Sequence, residues 1–199
     1  PPAQQKTNPI EDIRDLLQNR PWLILFALAM IIMMTITMRA GSAYYYFHYY
    51  VERPELLPDY LLWQMIAYAA GAVMAPVMTR FLDKAKLMML LMGIVGSLSI
   101  AFYFVPNDMI WAMFTLNTLI SLALGPKSPL TWSMYADTAD YTEWKHRRRA
   151  TAMTFSAATF AQKLGGSLGS AGMLWVLAAI GYAANHAQTG ASQTGIALL

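Results

Sequence analysis

The sequence contains no cysteine, and only 13% of its 199 residues carry a charged side chain. Without cysteine, neither a disulfide framework nor a metal site built on thiolates can form. The histidines are few and far apart in sequence, at His48, His146 and His186, so we expect no metal site. Soluble domains usually carry about 25% charged residues, which argues against a soluble fold. The net charge of +3 is too small and too localised to indicate a nucleic-acid partner.

Apolar residues make up 57% of the chain, including fifteen methionines and six tryptophans, and the mean hydropathy is +0.37. They occur in runs near the ~20 residues that cross about 30 Å of hydrocarbon. The runs predict five transmembrane helices and the start of a sixth near Thr194, at about 21–47, 59–80, 86–105, 108–136 and 149–182. Pro126 and Pro129 predict a bend in the fourth. We therefore interpret the chain as an all-α, multi-pass protein of the lipid bilayer.

Lysine and arginine alternate between the two sides of these spans. Their numbers, from the N-terminus through the successive loops, are 3, 1, 3, 0, 4 and 0. By the positive-inside rule, the residues before the first span lie in the cytoplasm. There the sequence NPIEDIRDLLQNR, with Asn8 as N-cap and Pro9 at the first helical position, predicts a short amphipathic helix on the membrane surface. An ordinary linker helix is the alternative.

This pattern divides the chain into a cytoplasmic segment, residues 1–20, and a transmembrane bundle, residues 21–199. The chain begins with PPAQQ, and it ends with GIALL, where a new apolar segment is opening. We expect it to be an internal piece of a longer protein.

Three positive charges lie inside the predicted spans, at Arg39, Lys127 and Lys163, whereas all eleven acidic residues lie in loops or at span ends. A charge at mid-helix costs about 2.5–3.5 kcal/mol, so it usually has a partner or lines a wet cavity. We expect the acidic partners on helices outside this chain. Snorkelling of the side chain to the membrane surface is the alternative, and it is open for Arg39 and Lys127. Lys163 lies about 21 Å from one end of its span and about 28 Å from the other, which is too deep for snorkelling.

The helix around Lys163 has two kinds of periodic position. Polar residues recur every three or four positions, at Ser156, Thr159, Lys163, Ser167 and Ser170. Such spacing places them on one helix face, as expected for a cavity wall. Gly165 and Gly169 form a GxxxG pattern, which permits close packing against another helix.

The segment ADTADYTEWKHRRRATAMTFSAATFAQKLGG, residues 136–166, resembles the glycoside–pentoside–hexuronide:cation symporters. These are the melibiose-permease-like branch of the major facilitator superfamily. The family pattern ADxxDYxE, a short basic loop and a lysine before two small residues all occur here in register. The resemblance implies a major-facilitator-type bundle in which this chain supplies helices seven to eleven and the start of twelve. It also implies a transporter of the bacterial inner membrane rather than an enzyme.

The resemblance further implies roles for individual residues. Lys163 matches a lysine implicated in sugar and cation binding, and Thr159 matches a neighbouring sugar-cavity position. A tryptophan of the melibiose-type members is replaced here by Ser128, so Trp132, one turn along, is the candidate for stacking on sugar. With the intramembrane Arg39, the predicted substrate-binding residues are Lys163, Thr159, Trp132 and Arg39. The predicted cytoplasmic gate, a charged cluster that latches the two halves, is Asp137, Asp140 and Arg149. Lys127 matches no known role.

These features predict cation-coupled symport of a sugar or glycoside by alternating access. The coupling ion is H⁺ or Na⁺, and its carboxylate ligands are expected in the N-terminal half of the protein, with no other cofactor. A carrier of a lysolipid or an organic acid is the alternative within the same fold. The sequence lacks HExxH and any serine–histidine or paired-aspartate arrangement within the spans, which argues against a membrane enzyme. The aromatic run from Tyr44 to Tyr50 fits either an interfacial belt or sugar stacking.

Overall fold

A computed structural model describes residues 9–146 and 151–182, together with Ser192, Gly195 and Ile196. Within these ranges the chain forms helices and turns and contains no β-strand, which confirms the all-α prediction. The described ranges contain seven α-helices: α1 Pro9–Gln18, α2 Arg20–Tyr45, α3 Leu57–Met78, α4 Lys84–Tyr103, α5 Ile110–Leu124, α6 Lys127–His146 and α7 Thr151–Ala179. A π-helical turn, Tyr46–Tyr50, extends α2, and a 3-10 turn, Pro54–Leu56, precedes α3.

Among the described residues, three helical segments are long and apolar enough to cross a membrane: Arg20–Tyr50, Pro54–Met78 and Lys84–Tyr103. They agree within a few residues with the first three predicted spans. Local sequence explains where the third segment begins. The Asp83 side chain accepts a hydrogen bond from the Ala85 amide, 3.2 Å away, and so caps the N-terminus of α4.

The fourth predicted span, residues 108–136, is interrupted where the prolines predicted a bend. Helix α5 ends at Leu124 and α6 begins at Lys127, after a turn at Gly125 and Pro126. Proline lacks an amide hydrogen and its ring clashes with the preceding turn, which accounts for the break. Helix α6 then continues past Ala136, the predicted end of the span, to His146, and the whole acidic motif lies on it.

The fifth predicted span corresponds to α7, Thr151–Ala179. Four residues singled out from the sequence lie outside the described residues: Asn8, Arg149, His186 and Thr194.

The chain divides into two compact units, and helices α2, α6 and α7 each contribute to both. The first unit comprises residues 1–36 and 131–169, and the second comprises residues 37–130 and 170–199. The buried core of the first unit is formed by Leu16, Trp22, Leu25, Ala29, Tyr135 and Ala158. The buried core of the second is formed by Ala43, Tyr46, Phe47, Val51, Tyr60, Met113, Leu177 and Ile196. These two units are not the two parts predicted from the sequence. The predicted division into a cytoplasmic segment, residues 1–20, and a transmembrane bundle, residues 21–199, stays a prediction.

Two close helix contacts depend on glycine. In the first unit, a Cβ atom on Gly165 would overlap the carbonyl oxygen of Met30 in α2, which confirms the close packing predicted from GxxxG. In the second unit, a Cβ atom on Gly71 of α3 would overlap the carbonyl oxygen of Leu122 in α5. Each crossing brings backbone against backbone, a distance that only glycine permits.

Candidate transport site

The predicted polar face of α7 is exposed in the first unit. Thr159 and Lys163 are exposed, whereas Ala158, Ala161 and Gly165 are buried. Residues two positions apart on a helix point in nearly opposite directions, so the buried face and the lysine face lie on opposite sides of α7. The helix therefore packs with its small residues and presents its polar residues away from that packing.

The hydroxyl groups of this face are held by the helix backbone. Thr159 Oγ1 donates to the Phe155 carbonyl at 2.9 Å, and Ser167 Oγ donates to the Lys163 carbonyl at 3.0 Å. Each oxygen keeps lone pairs for a further hydrogen-bond donor. Within the described part of the chain, the Lys163 ammonium has no hydrogen-bond or ion-pair partner. Its three N–H donors are therefore left for groups other than the described residues.

Trp132 lies beside this polar face. Its ring stacks on Phe155 with a centroid separation of 5.9 Å and an interplanar angle of 22°. One face of α7 carries Phe155, Thr159 and Lys163 at four-residue intervals. Because Trp132 stacks on Phe155, its ring lies next to this face. The Trp132 side chain is 38% exposed, which leaves ring surface for a ligand. Three of the four predicted substrate-binding residues are thereby neighbours within one unit.

The position of Trp132 on α6 is fixed from behind. The Tyr135 side chain is fully buried, and its hydroxyl donates to the Leu25 carbonyl of α2 at 3.0 Å. The Trp132 and Tyr135 rings are 6.1 Å apart. Because Tyr135 is hydrogen-bonded and enclosed, α6 cannot rotate without breaking this contact, and Trp132 stays on the exposed side.

Arg39, the fourth predicted substrate-binding residue, lies in the second unit. Its Nη2 donates to Asn117 Oδ1 at 3.2 Å, and its guanidinium lies 5.6 Å from the centroid of the Phe102 ring. Asn117 is 1% exposed, and its Nδ2 donates to the Tyr60 carbonyl at 3.4 Å. These partners are neutral, so a search of the sequence for opposite charge missed them. An asparagine in the otherwise apolar run of α5 was the available signal.

The predicted gate is described only in part. Asp137 and Asp140 are exposed on α6, and Arg149 lies outside the described residues. The threonines of the same motif point the other way: Thr138 and Thr142 are 6% and 1% exposed. The motif thus presents carboxylates outward and hydroxyls inward.

Asn19 contacts the inward side of this motif, and the sequence did not indicate it. Its Nδ2 donates to the Thr138 carbonyl at 3.2 Å and to Thr142 Oγ1 at 2.7 Å. Its Oδ1 accepts the Trp22 amide at 3.1 Å, which caps α2. The 1% exposed Asn19 side chain therefore ties the start of α2 to the acidic motif of α6.

Other residues singled out from the sequence divide between core and surface. Lys127 is 7% exposed at the start of α6 and has contacts within the structure. In the aromatic run, Tyr46 and Phe47 are buried in the core of the second unit, so neither the interfacial belt nor sugar stacking fits these two. Tyr44 is exposed and stacks on His48 at 5.5 Å, and both alternatives stay open for it.

A pocket of about 310 Å³ occurs in the second unit, between α3 and α5. It is lined by none of the predicted site residues, but by Trp63, Phe114, Thr115, Thr118 and Leu119. Among the described residues, no group of three or more His, Asp or Glu side chains is arranged to hold a metal ion.

Apolar helices of membrane-spanning length define a helical membrane protein, and one further helix exposes a lysine and hydroxyls. The chain belongs to the family described as MFS/sugar transport protein, which it matches over residues 1–199. The match confirms the family assignment drawn from residues 136–166, and it points to a transporter rather than an enzyme.

Curated relatives agree with this family. The chain is 31% identical over 183 residues to the inner membrane symporter YicJ and 28% identical over 183 residues to the putative glycoside/cation symporter YagG, both of Escherichia coli (strain K12). It is 30% identical over 197 residues to the isoprimeverose transporter of Lactiplantibacillus pentosus. The three alignments cover 92%, 92% and 93% of this chain but only 40%, 40% and 39% of the relatives. The chain therefore spans less than half the length of the curated relatives it matches.

Proposed function

We propose that the protein containing this chain is a secondary transporter that couples uptake of a sugar or glycoside to H⁺ or Na⁺. The exposed face of α7 is the observation that carries the proposal, because it presents Lys163 and Thr159 beside the Trp132 ring. An ammonium donates to sugar hydroxyls, and an aromatic ring stacks on the apolar face of a sugar. Relatives named as a glycoside/cation symporter and an isoprimeverose transporter support the same substrate class.

Coupling follows from the charge of Lys163. The acidic residues that balance it, and that bind the coupling ion, are expected on the N-terminal half of the protein. When a cation occupies those acids, the electrostatic environment of Lys163 changes, and the affinities for cation and sugar become linked. Two helix bundles that rock about this site would then expose it to either side of the membrane in turn.

The remaining parts of the proposal concern orientation and gating. The alternation of lysine and arginine supports a cytoplasmic N-terminus for this chain in a bacterial inner membrane. Asp137 and Asp140 are exposed on α6, and in this proposal they interact with Arg149 and with the other half when the carrier faces outward.

Replacement of Lys163 in the full-length protein tests this function. We expect Lys163→Ala to abolish cation-driven accumulation of substrate, because both the sugar donors and the counter-charge of the acids are lost. Lys86→Ala is the matched control, since Lys86 is an exposed lysine near the start of α4. Uptake of radiolabelled sugar into cells, with protein in the membrane measured by immunoblotting, gives the result. Normal accumulation of sugar by the Lys163→Ala variant would refute the proposal.

A further inference from the structure

We propose that Phe155 is a positioning residue of the transport site, which holds the Trp132 ring beside the lysine face of α7. The inference rests on the proposed function and adds to it a residue that acts on the sugar through the tryptophan. The side chains concerned all belong to the first unit. Neither the family motif nor the count of charges indicated Phe155, and its role is inferred from its contacts.

The contacts of Trp132 fix its backbone and its ring separately. The buried Tyr135 hydroxyl donates to the Leu25 carbonyl at 3.0 Å and so holds helix α6. That hydrogen bond leaves the Trp132 side chain a choice of staggered rotamers. The Tyr135 ring lies 6.1 Å from the indole and is tilted by 58°, so it offers no parallel surface. The nearly parallel neighbour, which selects one orientation of the indole, is Phe155.

Phe155 is suited to this task because it is itself held in place. Its side chain packs against the buried core of the first unit. Its carbonyl accepts the Thr159 hydroxyl at 2.9 Å, while its ring stacks on Trp132 at 5.9 Å and 22°. Ring pairs at such separations stabilise each other. Phe155 thus joins two predicted sugar-binding side chains that come from different helices.

A ring that is already ordered binds a sugar more tightly than a mobile one. Trp132 is 38% exposed, so its contact with Phe155 leaves indole surface uncovered. Ordering a side chain during binding weakens the association, and a side chain held in place beforehand avoids that loss. A stacked pair of rings changes an equilibrium constant by about twofold to tenfold. We therefore expect Phe155 to lower the sugar concentration that half-saturates the carrier.

Uptake by the full-length protein in proteoliposomes tests the inference. The probes are radiolabelled methyl β-D-glucoside, methyl β-D-galactoside and methyl β-D-xyloside, and the one that wild type transports fastest is used for the variants. Phe155→Leu removes the ring and should raise KM about fivefold with little change in the maximal rate, as expected for a lost binding contact. Phe155→Tyr keeps a ring, so its KM should stay within about twofold of wild type. The matched control is Phe160→Leu, since Phe160 is a 58% exposed phenylalanine of the same helix.

Two further measurements show whether Phe155 acts through Trp132. The double variant Phe155→Leu/Trp132→Leu should have the same KM as Trp132→Leu, because a positioning residue has no effect once its target is removed. The fluorescence of Trp132 is the difference between each protein and its Trp132→Phe counterpart. Without sugar, acrylamide should quench it more strongly in Phe155→Leu than in wild type. Size-exclusion profiles establish folding, and Phe155→Met replaces Phe155→Leu throughout if the latter is not folded.

The outcomes are distinct from those that test the transport function. An unchanged KM in Phe155→Leu overturns the inference, and so does an equal rise in Phe155→Leu and Phe155→Tyr. A higher KM in the double variant than in Trp132→Leu also overturns it, because Phe155 would then act on the sugar by another route. In each of these cases, uptake driven by a cation gradient leaves the proposed function standing. Uptake that needs no cation gradient but shows the expected KM changes supports the inference and refutes the proposed coupling, and no uptake of any probe by wild type counts against both.

Discussion

At the scale of single residues, Asn19 shows what a local reading of sequence cannot detect. It stands in the short stretch QNRP, which marks only the start of a span. Its partners Thr138 and Thr142 lie 119 and 123 residues away along the chain. Neither helical periodicity nor motif spacing can predict a contact between residues so far apart in the sequence. The residue gains its role from the fold, because one amide caps α2 and also holds the inward face of the acidic motif.

We predict that Asn19→Ala destabilises the full-length protein by about 1–3 kcal/mol, because a helix cap and two buried hydrogen bonds are lost. Thermal unfolding of the purified protein measures the effect as a lower Tm. Asn19→Asp keeps the cap acceptor but cannot donate to the threonine hydroxyl, so its Tm should lie between those of Asn19→Ala and wild type. The exposed neighbour Gln18 provides the control, and Gln18→Ala should unfold as wild type does. An unchanged Tm in Asn19→Ala would contradict the role assigned to the amide.

At the scale of helices, α7 is organised by two faces with different requirements. The packed face consists of small residues, since the α2 backbone runs directly against Gly165 and Gly169. The opposite face carries Lys163 and the hydroxyls. Because both faces lie on one helix, a change that pushes α7 away from α2 also moves the lysine.

Gly165→Ala is predicted to destabilise the protein by about 1–3 kcal/mol and to reduce uptake, because the new methyl group overlaps the Met30 carbonyl. The matched control is Gly96→Ala in α4, where an added Cβ has no neighbour within 4 Å. Alanine is the better helix former by about 1 kcal/mol, so the control should be neutral or more stable. Tm and initial uptake rates are compared for both variants. Equal behaviour of the two would show that the close crossing does not matter.

The helices also show which parts of the fold the sequence could predict. Long apolar runs predicted α2, α3 and α4 within a few residues, and Pro126 predicted the interruption between α5 and α6. The predicted span ended at Ala136 because ADTADYTEW is polar and cannot continue an apolar run, although α6 itself continues to His146. Its helical state is supported by distant contacts, from Tyr135 to Leu25 and from Asn19 to Thr138 and Thr142.

At the scale of the whole molecule, charge counting and contact geometry supply different parts of the site. Counting charges, together with its depth in the span, predicted that Lys163 lines a cavity; its side chain is exposed, and the cavity itself stays a prediction. The same counting did not indicate the neutral partner of Arg39, the Asn117 amide, and the acidic partner expected for Arg39 outside this chain stays a prediction. A site built from opposite charges can thus be inferred from composition, whereas one built from an amide and a ring requires the fold.

The symporters YicJ and YagG and the isoprimeverose transporter are each more than twice as long as the segment that this chain matches. We expect the acids that bind the coupling ion outside residues 1–199. We therefore predict that residues 1–199, reconstituted alone in proteoliposomes, show no uptake driven by an H⁺ or Na⁺ gradient. Full-length protein in matched vesicles is the control, and co-expression of the two halves as separate chains should restore part of the activity. Gradient-driven uptake by residues 1–199 alone would contradict the view that Lys163 depends on acids from the other half, because every group needed for coupling would then have to lie within this chain.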